Sequence, residues 1–309
     1  MMNSFYILLE QIKLLSVYML LGILLVKTNV LNAKTLEPLS RFVMKMALPL
    51  LIFTNTVDGV SRQQLCEAAP VLLCSIFAYL LLYVLNSLLV RLFRLPKEQK
   101  NLYRALGMFG NIGFMGIPIL TSLFPENGIV YIGVVTIVDQ FLLWTIGVQL
   151  TSGTRSGNTA FDWKKMLNPA VIAVLTAVIF VMEGWKMPDF LNKSLTNVGA
   201  CATSLALIYL GGVFACMDLR EYLRKLEFYG MVFIKMLIFP LFFFFVLDLL
   251  GVKKEICMTM AMLTAMPSMS SLVMMAKADN TGGDYVAGGV FITTFLSLLT
   301  LPAVCWIIQ

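Results

Sequence analysis

The sequence has no histidine, and charged residues make up only 13% of its 309 positions. The first absence removes every zinc ligand set and every nucleophile–base pair that needs histidine. No HExxH or GxSxG is present, so a protease or hydrolase centre has no sequence basis. No GxxxxGK[ST] is present either, so nucleotide hydrolysis is not the energy source. The six cysteines, Cys66, Cys74, Cys201, Cys216, Cys257 and Cys305, form no CxxC pair. They read as small apolar packing residues. The expectation is a protein that is not an enzyme and uses no cofactor or metal.

Scarce charge has a further consequence. A soluble domain carries about a quarter charged residues, and half that share cannot cover a surface that meets water on all sides. What replaces charge is apolar sequence: 59% of residues are hydrophobic and mean hydropathy is +0.87. The apolar residues fall in runs near the ~20 residues that a helix needs to cross a hydrocarbon core. Ten such runs are predicted, at 5–26, 36–57, 69–93, 102–124, 129–150, 169–182, 195–217, 228–250, 256–276 and 286–308. The sixth is the shortest and reaches Trp185 at most. The first has no small-residue cleavage site behind it and is read as a first helix, not a signal peptide. No linker is long enough for a second domain, so 1–309 is expected to be one membrane transport domain.

The net charge of +6 sits in short loops, which fits membrane topology and not nucleic-acid binding. One set of alternate loops holds Lys27, Lys34, Arg41, Arg91, Arg94, Lys97, Lys100, Arg104, Arg155, Lys164, Lys165, Arg220, Arg224, Lys225 and Lys277. The opposite set holds Arg62, Lys186, Lys193, Lys253 and Lys254. The rich side is therefore expected to be cytoplasmic, in an inner-membrane protein with both termini outside.

Ten spans split into 1–151 and 161–309, across a polar Thr/Ser/Gly/Arg stretch. Five spans per half force the second half to enter the membrane in the opposite sense. Inverted repeats of this kind build many secondary transporters, with the solute site at their interface. The expected pointers are Gly- or Pro-interrupted segments at matching places, and both fourth spans supply them. One reads Gly107-Met-Phe-Gly110-Asn111-Ile-Gly113-Phe-Met-Gly116-Ile-Pro118, the other Ala265-Met-Pro267-Ser268-Met-Ser270-Ser271. Glycine and proline weaken helices, and freed backbone groups in lipid must be met by protein or a hydrated cavity. Spans four and nine are thus predicted to be broken and to cross. Helix N-termini there would receive a carboxylate. The small-xxx-small spacings Gly107/Gly110 and Gly113/Gly116 also permit plain close packing.

At these segments the chain resembles the auxin efflux carrier family. The carrying residues are Leu48-Pro49-Leu50-Leu51-Ile52-Phe53, Asn111 through Pro118, Lys235-Met-Leu-Ile-Phe-Pro240, Ala265-Met-Pro267 with Ala276-Lys277, and Thr293-Thr294 through Ser297, Thr300 and Pro302. The resemblance implies a ten-helix fold similar to bile-acid symporters, with spans one, two, six and seven as scaffold and the rest as a transport domain. It implies organic-anion substrates: indole acetate in plant members, malate and malonate in bacterial ones. Asn111 matches the family's crossing asparagine, but Gly110 stands where plant members carry proline. Span three lacks their acid and lysine and shows Asn86 as its interior polar residue of note. Those departures argue against auxin itself.

Among polar residues at depth, Asp139 lies near the middle of span five and cannot reach an interface, which marks it for function. With its neighbour Gln140 it is the expected coupling group, able to take up and release a proton. A structural hydrogen bond to a neighbouring helix is the alternative. Lys235, roughly 10 Å into span eight, can either snorkel or serve as a counter-ion. Lys45 suits an interfacial anchor, and Glu10 with Lys13 a local pair. Asn55, Thr54 and the serines Ser268, Ser270 and Ser271 can line a polar path. The expected substrate-binding set is Gly110, Asn111, Gly113, Pro118, Pro267, Ser268, Ser270 and Ser271, with Asp139, Gln140 and Lys235 for charge.

Taken together these features predict an all-α secondary transporter of a small mono- or dicarboxylate. Its coupling ion is a proton in preference to sodium, and its surroundings are membrane lipid. A homodimer is one admissible assembly. The competing reading is a sensor that binds a metabolite or lipid without moving it.

Overall fold

The computed structural model describes residues 2–63, 69–124, 128–152 and 169–309. Among these residues the chain is helical and contains no strand. The expectations for Cys66 and for Arg155, Lys164 and Lys165 lie outside the described residues. Six helices are long and apolar enough to cross a membrane: Leu9–Lys27, Ala69–Leu92, Val130–Thr151, Asp189–Cys216, Leu226–Leu249 and Gly283–Ile308. Pro169–Glu183 is a shorter apolar helix; it stops before Trp185. The remaining predicted spans fall on one bent helix at 33–59 and two interrupted ones at 97–123 and 254–278.

The bent helix shows how the sequence sets local geometry. Asn32 starts it with a capping box: its Oδ1 accepts from Lys34 N at 3.0 Å and Thr35 N at 3.1 Å, while Thr35 Oγ1 accepts from Asn32 N at 2.8 Å. Ala33–Phe42 then passes through a π-helical turn, Val43–Ala47, into Leu48–Gly59. Pro49 explains the widened turn. Proline has no N–H to give the preceding turn and its ring crowds the carbonyl four residues back, and a π-bulge relieves both. The same arrangement recurs where Ile112–Gly116 precedes Pro118 and where Val232–Ile238 precedes Pro240. In each case proline lies at the start of the next α-helical segment.

Packing follows the small residues. Met2–Lys27 lies along Asp189–Cys216, and a side chain at Gly22 would strike the Ile208 carbonyl, one at Gly211 the Met19 carbonyl. Backbones meet here, as membrane helices meet where no bulk intervenes. Leu48–Gly59 packs against both Pro169–Glu183 and Asp189–Cys216. On another side, Ala69–Leu92 packs on Lys97–Met108 and Gly128–Leu142, and Phe239–Leu249 on Lys254–Thr264. The outer faces are apolar: Leu20, Leu73, Leu80, Phe245, Leu299 and Trp306 are each more than half exposed. Such a surface suits acyl chains, not water.

Candidate functional site

The two interrupted helices meet at their breaks. Lys97–Met108 stops, Phe109 and Asn111 leave helical geometry, and a new helical run begins at Ile112. In the second, Lys254–Thr264 stops and Ser271–Ala278 begins. Between them Gly110 and Ser268 form an isolated antiparallel bridge. Asn111 N donates to Pro267 O at 2.7 Å and Met269 N to Phe109 O at 3.0 Å. Each break thus answers backbone groups freed by the other, which is how a chain in lipid can unwind without orphaned amides. The two stretches expected to be broken are broken, and their breaks meet.

Side chains complete the exchange. Ser268 Oγ donates to Leu106 O at 2.8 Å, a carbonyl in the last turn of the first half-helix, and Ser268 N donates to Thr293 Oγ1 at 3.2 Å. Asn111 Nδ2 donates to Ser270 Oγ at 3.1 Å. Lys235, 1% exposed, donates its ammonium to Met266 O. It does not snorkel; the freed carbonyl at the break holds it inward. Lys45 is exposed, and Glu10 and Lys13 pair at 3.1 Å.

The glycines divide by role. A side chain on Gly107 would overlap the buried Asn86 amide, so this glycine serves close packing between helices. At Gly110 a Cβ would sit 3.2 Å from the Met266 Cβ, at the bridge itself. At Gly113 it would meet nothing within 4 Å. Gly113 borders a void of about 50 Å³ that Leu51, Asn55, Thr56, Thr136 and Gln140 also line. Thr136 Oγ1 is buried there without a hydrogen-bond partner, and so is Asn111 Oδ1 at the crossing. Two such atoms are sites that a polar guest could satisfy. A void of this size holds a few waters, not a dicarboxylate.

Asp139 is fully buried and both its oxygens are engaged. Tyr79 donates its hydroxyl to Oδ1, and Gln140 Nε2 donates to Oδ2 at 2.9 Å. Trp144 Nε1 in turn donates to Gln140 Oε1 at 3.2 Å. Gln140 therefore touches both the carboxylate and the void. A second, smaller void of about 20 Å³, lined by Tyr79, Gly110, Ile112, Lys235 and Thr264, lies between Tyr79 and the crossing. Asp139 and Lys235 are not an ion pair; the pairs among the described residues lie elsewhere.

Of the predicted site residues, Gly110, Asn111, Pro267, Ser268 and Ser270 come together, and Ser271 opens the helix beyond. Gly113 lines the void. Pro118 lies two turns further on, in Ile117–Leu123, and is not at the crossing. Sequence reasoning passed over Tyr79, Thr136 and Trp144, and gave Thr293 a place in the resemblance but no role at the site. Span three's important polar group is the Tyr79 hydroxyl as well as Asn86, a correction to the reading that rested on Asn86. Tyrosine in an apolar run reads as packing, and only the position of Asp139 across the interface gives its hydroxyl a task.

Comparison with known proteins places these features. Residues 7–305 match the family of membrane transport proteins, which is of the auxin efflux carrier type. An uncharacterized transporter of Methanocaldococcus jannaschii is 25% identical over 294 residues, covering 91% of this chain and 92% of the relative. An uncharacterized transporter of Methanothermobacter thermautotrophicus is 24% identical over 295 residues, covering 93% of each. A protein of Rhizobium meliloti named "Putative malonate transporter" is 18% identical over 279 residues, covering 88% of this chain and 86% of the relative.

Proposed function

We propose that this chain, which belongs to the auxin efflux carrier-type family of membrane transport proteins, moves a small organic anion by secondary active transport across the cytoplasmic membrane. The observation that carries the reading is the mutual crossing of two broken helices, beside a void in which the Thr136 hydroxyl is buried without a partner and able to donate. The runs beginning at Ile112 and Ser271 both start at the crossing, so two positive dipole ends converge where a carboxylate would bind. The name of the Rhizobium meliloti relative makes dicarboxylates the first class to try.

The inferred architecture is ten spans in two inverted halves. The packing of Leu48–Gly59 with Asp189–Cys216 and Pro169–Glu183 suits a scaffold, against which the crossing unit would move. Substrate would enter the void at Gly113, Thr136 and Gln140. Because that void is too small for a dicarboxylate, loading requires the wall at Leu51–Thr56 to move away. We assign proton coupling to Asp139. Both its oxygens accept hydrogen bonds, so a proton taken up turns one of them into a donor and weakens the hold of Tyr79 or Gln140 there. Releasing Gln140 would alter the wall of the void, which links proton uptake to solute binding.

The test begins with a thermal-shift screen of purified protein against mono- and dicarboxylates, since a ligand that binds the folded state raises Tm. The best ligand, radiolabelled, then goes into counterflow in proteoliposomes. Exchange of label supports a carrier. Binding without exchange would replace transport by sensing, and no shift with any carboxylate would remove the organic-anion assignment.

A further inference from the structure

A lateral groove of about 630 Å³ opens between Ala69–Leu92 and the helix 128–151, far larger than the voids at the crossing. Its walls change character along their length. Towards one end it is lined by Asn101, Arg104 and Gln149; further along it is lined by Ile76, Leu80, Leu142 and Ile146. Ile76 and Leu80 are 50% and 59% exposed, so this wall faces outward to the surroundings.

Arg104 anchors the polar end. Its Nε donates to Ser87 Oγ at 3.1 Å and its Nη1 to Asn101 Oδ1 at 2.8 Å. These neutral partners hold the guanidinium in place without cancelling its charge, and among the described residues it has no ion pair. Helical spacing puts Arg91 one turn beyond Ser87 on the same face, and Lys97 one turn before Asn101. Neither has an ion pair among the described residues. A positive cluster therefore sits at one end of a greasy trough. From Ser87 to Ile76 the helix rises about 16 Å, close to the ~15 Å half-thickness of a hydrocarbon core.

We infer that this groove is a seat for an anionic phospholipid, its phosphate on Arg104 and one acyl chain along Ile76, Leu80 and Ile146. Basic pockets between membrane helices bind anionic headgroups by this chemistry. The occupant would also touch the coupling centre, because Tyr79 lines the groove and its hydroxyl holds Asp139. The inference does not depend on which solute the protein carries.

Native mass spectrometry of the full chain, released from micelles doped with equal phosphatidylglycerol and phosphatidylcholine, tests it. Wild type is expected to retain phosphatidylglycerol preferentially, and equal retention of both lipids would overturn the assignment without recourse to any variant. R104Q, checked for folding by size exclusion, should lower retention about fivefold, the worth of one basic residue at a membrane surface. I146W keeps every charge but obstructs the trough, and should lower it as well. Loss in R104Q with full retention in I146W would reduce the site to general surface charge. Displacement by soluble glycerol phosphate would make it an anion site and not a lipid seat. Either outcome, or full retention in both variants, contradicts the proposal.

Discussion

The two halves of the crossing are built alike in backbone and differently in side chains. The second segment, Ala265–Ser270, is braced from several directions: Lys235 on the Met266 carbonyl, Thr293 on the Ser268 amide, and Ser268 on Leu106. The first segment carries the groups left open: Asn111 Oδ1 without a partner and Gly113 facing empty space. We propose that one segment is a support and the other a receiving surface. An unwound helix is tolerated in lipid when something rigid answers its polar groups. We propose that the solute binds on the other side, where a carboxylate would take its hydrogen bonds from N–H or O–H donors, since Asn111 Oδ1 only accepts.

Substitutions can break or sharpen this contrast. The largest effect is expected from Asp139→Asn, which keeps the shape and removes the titratable group. Uptake driven by a pH gradient should fall to background while counterflow survives, and wild-type driven uptake would release Asp139 from coupling. Next comes the brace. Lys235→Met fills similar volume but strips the Met266 carbonyl of its donor, a buried orphan costing about 1–3 kcal/mol. Its Tm should drop while affinity for the bound carboxylate in the folded fraction changes little; a loss of affinity at unchanged Tm would place Lys235 in the site. The last pair separates two glycines. Gly107→Ala forces a methyl into Asn86 and should cost about 1–3 kcal/mol. Gly113→Ala meets open space and should be neutral or stabilising by up to about 1 kcal/mol, yet weaken solute binding by narrowing the void. Equal melting temperatures for these two variants would contradict the division of roles.

How much of this was legible beforehand depends on what each feature is made of. The helical class and the two breaks were legible, because apolar runs and clustered Gly/Pro are local signals. That the breaks meet was inferable only from their matched places in the two halves. The roles of Gly107 and Gly113 were not legible: both read as small residues in the same stretch, and what separates them is Asn86 on one side and emptiness on the other. Lys235 posed the same difficulty. Its depth allowed a reach to either the interface or the interior, and the choice was made by a carbonyl thirty-one residues away, freed beside Pro267. Tyr79 was invisible because nothing in its own helix asks for a hydroxyl. The π-turns before Pro49, Pro118 and Pro240 have a local cause, but hydrophobic periodicity blurs over a single widened turn.

The central claim is that the unanswered side of the crossing receives the solute. Equilibrium binding of the best carboxylate to Asn111→Ala, measured beside wild type at matched Tm, addresses it most directly. Asn111 would meet the carboxylate through Nδ2, turned from Ser270 Oγ, and loss of one hydrogen bond to a charged group, about 1.5–3 kcal/mol, corresponds to an affinity lowered roughly ten- to a hundredfold. An Asn111→Ala protein that binds the carboxylate as tightly as wild type would contradict the account and move the site elsewhere.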